Sequence, residues 1–223
     1  MKVKGKEKIE RYSKWLLGKK DHDVVILFYD KLDKLRYGDD KEDIGVRGLA
    51  VHGKYLKKYI KEKRKEGEKY LKQCEDDSVL RYLDWLIDQD VPQGKGIIVY
   101  GSDDLERRTI WHEVSHIKTF VFCKEKGRDS EVETDIYAVV WAMIRGYSQV
   151  EKEFINKVKV NNLNRYRMLG FMEIYEKCKK QFERKKLDDD WKYKDRPDYL
   201  DNAAPPHEKL LIYAIKKHHN KKS

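Results

Sequence analysis

Residues 112–116 read His-Glu-Val-Ser-His, and this pentad restricts the chain more than any other stretch. On an α-helix, positions i and i+4 lie one above the other on the same face. The imidazoles of His112 and His116 are therefore set to bind one tetrahedral ion. Glu113, beside the first histidine, reaches a water activated by such an ion and acts as its base. Ile110, Trp111, Val114, Ser115 and Ile117 are all uncharged, as a buried helix of this kind demands; Lys118 departs from the hydrophobic residue usual there. Two ligands do not make a zinc site. Catalytic zinc takes three protein ligands and keeps the fourth position open, so the fold must also present a third donor.

In the metzincin version of the motif Thr119 would be glycine and Phe122 histidine, so that subclass is excluded. The next predicted helix instead carries Ser130-Glu131-Val-Glu133-Thr-Asp135-Ile-Tyr-Ala138. Glu131 and Asp135 are four apart and share a face. Glu131 completes a His-His-Glu ligand set, and Asp135 is placed to accept a hydrogen bond from a ligand imidazole and fix its tautomer. Glu133 points to the opposite side and ranks below Glu131.

A helix bearing HExxH followed by one bearing ExxxD resembles the gluzincin class of zinc metallopeptidases. The local text is similar to the ImmA/IrrE-like branch: Gly96-Ile-Ile-Val-Tyr100, then Arg107-Arg-Thr-Ile-Trp-His-Glu113, then the Glu131 helix. It covers residues 95–146, in a compressed register. The ExxxD spacing also resembles the Ste24/HtpX-like peptidases, which are integral membrane proteins. The resemblance implies a hydrolase that uses one zinc ion to cut a protein or peptide substrate; the odd, scattered cysteines lead to the expectation of a cytoplasmic setting. Glu113 takes a proton from water and passes it to the leaving amine. The resemblance further implies an edge strand, Ile97, Ile98, Val99 and Tyr100, on which an extended substrate pairs. A downstream oxyanion-stabilising residue is implied too, with His207 or a tyrosine such as Tyr166 as candidates.

The remaining sequence supports an α+β, helix-dominated fold, with a small mixed sheet packed on the HExxH helix and a following ExxxD helix. Asp23–Tyr29, 44–52 and 97–100 read as strands. Residues 6–18, 54–72, 78–88, 129–146, 148–159 and 163–186 read as helices, and Pro205-Pro206 as the start of a last one. Ser78 and the Ser102-Asp-Asp104 run read as helix N-caps. The organisation expected is an N-terminal α/β region over 1–94 and a zinc-site region over 95–223. The apolar runs fall well short of the roughly 20 residues that span a bilayer, and the three cysteines form no CxxC pair.

The net charge of +10 is uneven. Residues 1–20 and 54–72 each sum to +6, the last fifteen residues add five lysines and no acid, and 75–153 sum to −7. Basic flanks around an acidic centre leave two alternatives to a simple peptidase. One is a SprT-like, DNA-associated metalloprotease, although those enzymes use a third histidine, and after His116 only His207, His218 and His219 remain. The other is a non-catalytic metal-containing protein that binds nucleic acid or regulates, which the neighbouring Glu113 disfavours. Nucleic acid is thus a secondary expectation as a partner, and a membrane is not expected.

Overall fold

The computed structural model describes residues 2–35, 47–118, 129–161 and 170–188. The fold is helix-dominated with a small mixed sheet, in the α+β class. The chain divides into two compact units, Met1–Lys118 and Thr119–Ser223. The expected boundary at 94/95 is therefore moved. Strand Gly96–Tyr100 hydrogen-bonds on both sides to strands from the N-terminal region, so it cannot be separated from them.

In the first unit, β1 (Lys2–Lys4) leads into α1 (Lys6–Leu17), and β2 (Val24–Phe28) and β3 (Gly48–Val51) follow. Helices α2 (Gly53–Cys74) and α3 (Ser78–Asp88) come next, then β4 (Gly96–Tyr100), β5 (Asp104–Glu106) and α4 (Arg107–Lys118). The main sheet has the order β2-β4-β3, with β2 parallel and β3 antiparallel to β4. All five residues of β4 are buried. A strand covered on both faces has no reason to alternate apolar and polar residues, and Gly-Ile-Ile-Val-Tyr does not.

Successive side chains of a strand point to opposite faces. Ile97 and Val99 join Leu27, Leu49 and Val51 against Leu56 of α2 and Val79, Tyr82, Leu83 and Leu86 of α3. Each fully buried aliphatic side chain contributes about 1.5–3 kcal/mol, so this layer is a principal source of stability. Tyr100 faces the other side, where its hydroxyl meets Ser13 Oγ of α1 at 2.9 Å. Ser13 donates to the Ile9 carbonyl at 2.8 Å, so the phenol is the donor to Ser13.

Two expected caps are corrected. Residues 104–106 form an extended strand rather than a helix entry, because β1 pairs with them: Lys2 opposes Glu106, Val3 opposes Leu105 and Lys4 opposes Asp104. Ser102 Oγ accepts the Asp104 N–H at 3.0 Å within the turn before that strand. At α3, Asp77 is the N-cap position and Ser78 the first helical residue, its N–H taken by Asp76 Oδ1 at 2.9 Å.

The second unit contains α5 (Asp129–Ile144), α6 (Ser148–Asn161) and α7 (Phe171–Asp188), with α5 packed on both others. Helix α5 is apolar around most of its circumference, as a central helix must be. Val132, Ile136, Tyr137, Val139 and Val140 of α5 are buried, as are Phe154 of α6 and Phe171 and Ile174 of α7. No described helix is long and apolar enough to cross a membrane.

Candidate metal centre

Helix α4 carries the motif and is fixed to the first unit from two directions. Ile110, Trp111, Val114 and Ile117 are all but fully buried. Trp111 Nε1 donates to Tyr12 Oη of α1 at 2.7 Å, and the Arg107 guanidinium lies 5.8 Å from the Tyr12 ring centroid. On its other side α4 packs against β3. A helix held in this way presents its remaining face in a defined orientation.

That face carries His112 and His116, both half-buried. Their Nε2 atoms are 3.0 Å apart and the rings stand nearly perpendicular, at 89°. Two nitrogens bound to one tetrahedral zinc at about 2.0–2.1 Å would be about 3.3 Å apart. The pair therefore has nearly the separation that a shared ion requires.

Glu113 packs against β3 and is only 5% exposed. Gly48, the first residue of β3, lies directly beneath it. A Cβ added at Gly48 would stand 2.6 Å from both Cγ and Oε1 of Glu113, and 2.7 Å from Cδ. Carbon contacts are normally about 3.5–4.0 Å, so the glycine makes room for the carboxylate. Gly48 is a site residue that the sequence analysis missed. Its only local signal is a glycine inside a strand pattern, which marks close approach of another group.

Tyr100 contributes to the same region from below. Burial raises its phenol far above the ordinary value of 10.0. The hydrogen bond with Ser13 opposes that rise and the Glu113 carboxylate adds to it. Tyr100 is therefore a neutral strut between β4 and α1. It is not a substrate contact: Ile97, Ile98, Val99 and Tyr100 are each 0% exposed and belong to the middle strand. The expectation of a substrate-pairing edge at 97–100 is overturned, since β2 and β3 already occupy both of its edges. Among the described residues the sheet's edges are β2 and β3, and β3 is the one against α4.

In the second unit, Glu131 is exposed in the first turns of α5 and Asp135 is fully buried one turn later. Asp135 Oδ2 accepts from Lys157 Nζ of α6 at 3.0 Å. The sequence analysis did not anticipate this cation, which compensates a carboxylate taken out of water. His207 and Tyr166 lie outside the described residues.

Comparison with protein-family models, with curated proteins and with solved structures gave no match.

Proposed function

We propose that this chain is a zinc-dependent peptidase in which His112, His116 and Glu131 hold one zinc ion and Glu113 is the general base. The observation that carries the reading is the pair of half-buried imidazole nitrogens 3.0 Å apart on α4, with a buried carboxylate on the adjacent residue. Donor chemistry supports the third ligand: among the described residues, the group of histidine, cysteine and acidic side chains suited to one metal ion is His112, His116 and Glu131. Three nitrogen and oxygen donors match the ligand sets of catalytic zinc, which leave a position open.

Bound zinc supplies Lewis acidity and brings the pKa of water toward neutrality. Glu113 takes the proton of the attacking water and later delivers it to the leaving amine nitrogen, so it returns to its starting state with each turnover. Its burial over Gly48 restricts its motion, which suits a base held in one defined position. A site that was only structural would not need this neighbouring base.

With 97–100 removed as a pairing edge, the outer edge of β3 takes that role in the proposal. Among the described residues β3 pairs only with β4. An extended peptide added there gains main-chain hydrogen bonds and runs beside the strand whose first residue underlies Glu113.

The test is metal analysis together with hydrolysis of fluorescent casein. The purified chain is expected to hold close to one zinc per molecule. Glu113→Gln should keep the metal and lose hydrolysis by at least ~100-fold, and His112→Ala with His116→Ala should lose the metal. X-ray absorption of the zinc protein should show two imidazoles, with one carboxylate signal that disappears in Glu131→Ala. Metal-replete protein without zinc, or a Glu113→Gln variant of normal activity, would overturn the reading.

A further inference from the structure

Of the eight lysines of helix α2, six, Lys54, Lys58, Lys61, Lys65, Lys69 and Lys72, are spaced three or four residues apart. At 3.6 residues per turn this spacing confines them to an arc of about 80°, and at 1.5 Å per residue it extends them over about 27 Å. All six are exposed. The opposite side of the helix holds Leu56 and Gly67, which are buried, and Tyr59, Ile60 and Tyr70, which pack on the core of the first unit. The lysine row therefore points directly away from the body of that unit.

Among the described residues, few groups neutralise this row. Lys58 is 3.7 Å from Glu62, and Lys54 lies 6.0 Å from the Tyr55 ring centroid. Lys61, Lys65, Lys69 and Lys72 have no ion pair among the described residues. Of the other basic residues of the helix, Lys63 pairs with Glu66 at 2.6 Å and Arg64 with Asp84 at 3.3 Å, while Lys57 is exposed beside the row. The six lysines thus form a regular line of positive charge along the helix, flanked by the exposed Glu62 and Glu68.

We infer that this face of α2 binds the phosphate backbone of duplex DNA without regard to base sequence. Charge complementarity selects this occupant. Duplex DNA presents a regular polyanion with one negative charge per ~1.7 Å of axis, and lysines gain by releasing its counterions. Protein–protein interfaces are depleted in lysine and centred on apolar or aromatic anchors, and the row contains none. Insertion into a membrane surface needs an apolar helix face, and that face of α2 is spent on the core. Lysine is a point charge without the planar fork that reads base edges in pairs, so the contacts position the protein without specifying sequence. This inference is independent of the metal centre.

The test is fluorescence anisotropy of the full chain with two unrelated labelled duplexes of about 25 base pairs, from 50 to 200 mM salt. Both duplexes should bind alike, with affinity falling steeply with salt. Lys61→Ala, Lys65→Ala, Lys69→Ala and Lys72→Ala combined should weaken binding at 100 mM salt by at least ~100-fold, and should flatten the log–log salt slope by about 3 to 4. Lys4→Ala, Lys8→Ala, Lys31→Ala and Lys34→Ala combined remove the same charge from exposed positions elsewhere and should change the slope by less than about 1. Circular dichroism establishes that both variants remain folded. Absence of binding at 50 mM salt, or an equal loss in the two variants, would overturn the inference. So would lysine-row-dependent binding to phosphatidylserine vesicles without binding to DNA.

Discussion

Replacing Gly48 by alanine tests the seat of Glu113, the base of the proposed mechanism, with a single methyl group. The backbone accepts the change, since Gly48 is not among the residues with positive φ. Taken alone, Gly→Ala at a compatible position stabilises by about 0.4–1 kcal/mol through the unfolded chain. Against this stands the steric demand: the new Cβ would lie 2.6 Å from Glu113 Cγ and Oε1, so the carboxylate must retreat by about 1 Å to restore normal contact. Overpacking of that kind costs about 1–3 kcal/mol, so the net destabilisation expected is about 0–2.5 kcal/mol. The catalytic effect should be larger than the structural one, because a 1 Å misplacement of a reacting group costs on the order of 100-fold in rate, or about 2.7 kcal/mol of barrier. Casein hydrolysis should therefore fall about 100-fold while zinc content stays unchanged. A double-mutant cycle in urea checks the cause without relying on activity. On a Glu113→Ala background the clash is gone, and Gly48→Ala should become neutral or stabilising. Equal effects on the two backgrounds would refute the reasoning, as would a fully active Gly48→Ala protein.

Tyr100, Lys157 and Cys178 each carry a further measurable consequence. Because burial raises the Tyr100 phenol, the folded chain keeps this proton after the unfolded chain has released it. The resulting stability is complete below about pH 10 and declines above it, by up to ~1.4 kcal/mol per pH unit. Tyr100→Phe should be about 1 kcal/mol less stable than wild type at pH 9, and the gap should close by pH 11; a gap independent of pH would contradict the assignment. Lys157→Met removes the cation at Asp135 and should cost about 1–3 kcal/mol in urea unfolding, less than a fully buried pair because Lys157 is 26% exposed. Adding Asp135→Asn should recover part of that loss. Burial pushes the Cys178 thiol up to about 11, so at pH 8 it should resist iodoacetamide in the native state, whereas the exposed Cys74 reacts; equal labelling of the two would refute this.

What the sequence made legible is local. The helices over 6–17, 53–74, 78–88 and 148–161 follow from apolar periodicity, that over 129–144 from a long apolar run behind a polar start, and the histidine pair from helical pitch alone. Strands β2 and β4 are short runs rich in β-branched residues, bounded by charge or glycine. The ribbon of β1 with β5 escaped because each strand has only three residues and its partner lies about a hundred positions away. Residues 102–104 carry the composition of a helix cap, and only the pairing with Lys2–Lys4 makes the chain extend there instead. The Lys157–Asp135 pair escaped for the same reason, since nothing in either local sequence refers to the other.

The misplacement of the substrate edge has a different origin, and it shows what the sequence could have yielded. Gly96-Ile-Ile-Val-Tyr100 has no polar residue at alternate positions, the pattern of a strand covered on both faces. Residues 48–51, Gly-Leu-Ala-Val, place only Gly48 and Ala50 on the α4 side, opposite Tyr100 and Ile98 of β4. Bulk on that side would collide with the helix, so the small residues follow from its close approach. The strand with the larger residues thus sits in the centre, the strand with the smaller ones sits at the edge, and the buried Glu113 occupies the space their side chains vacate. Strand order and base position are one packing solution. A larger residue at Ala50 should therefore disturb α4 as Gly48→Ala disturbs Glu113: Ala50→Leu should lower stability by about 1–3 kcal/mol and weaken zinc retention by shifting the helix that carries His112 and His116. Unchanged zinc affinity in a destabilised Ala50→Leu protein would show that the helix tolerates displacement, and that Gly48 acts on Glu113 alone.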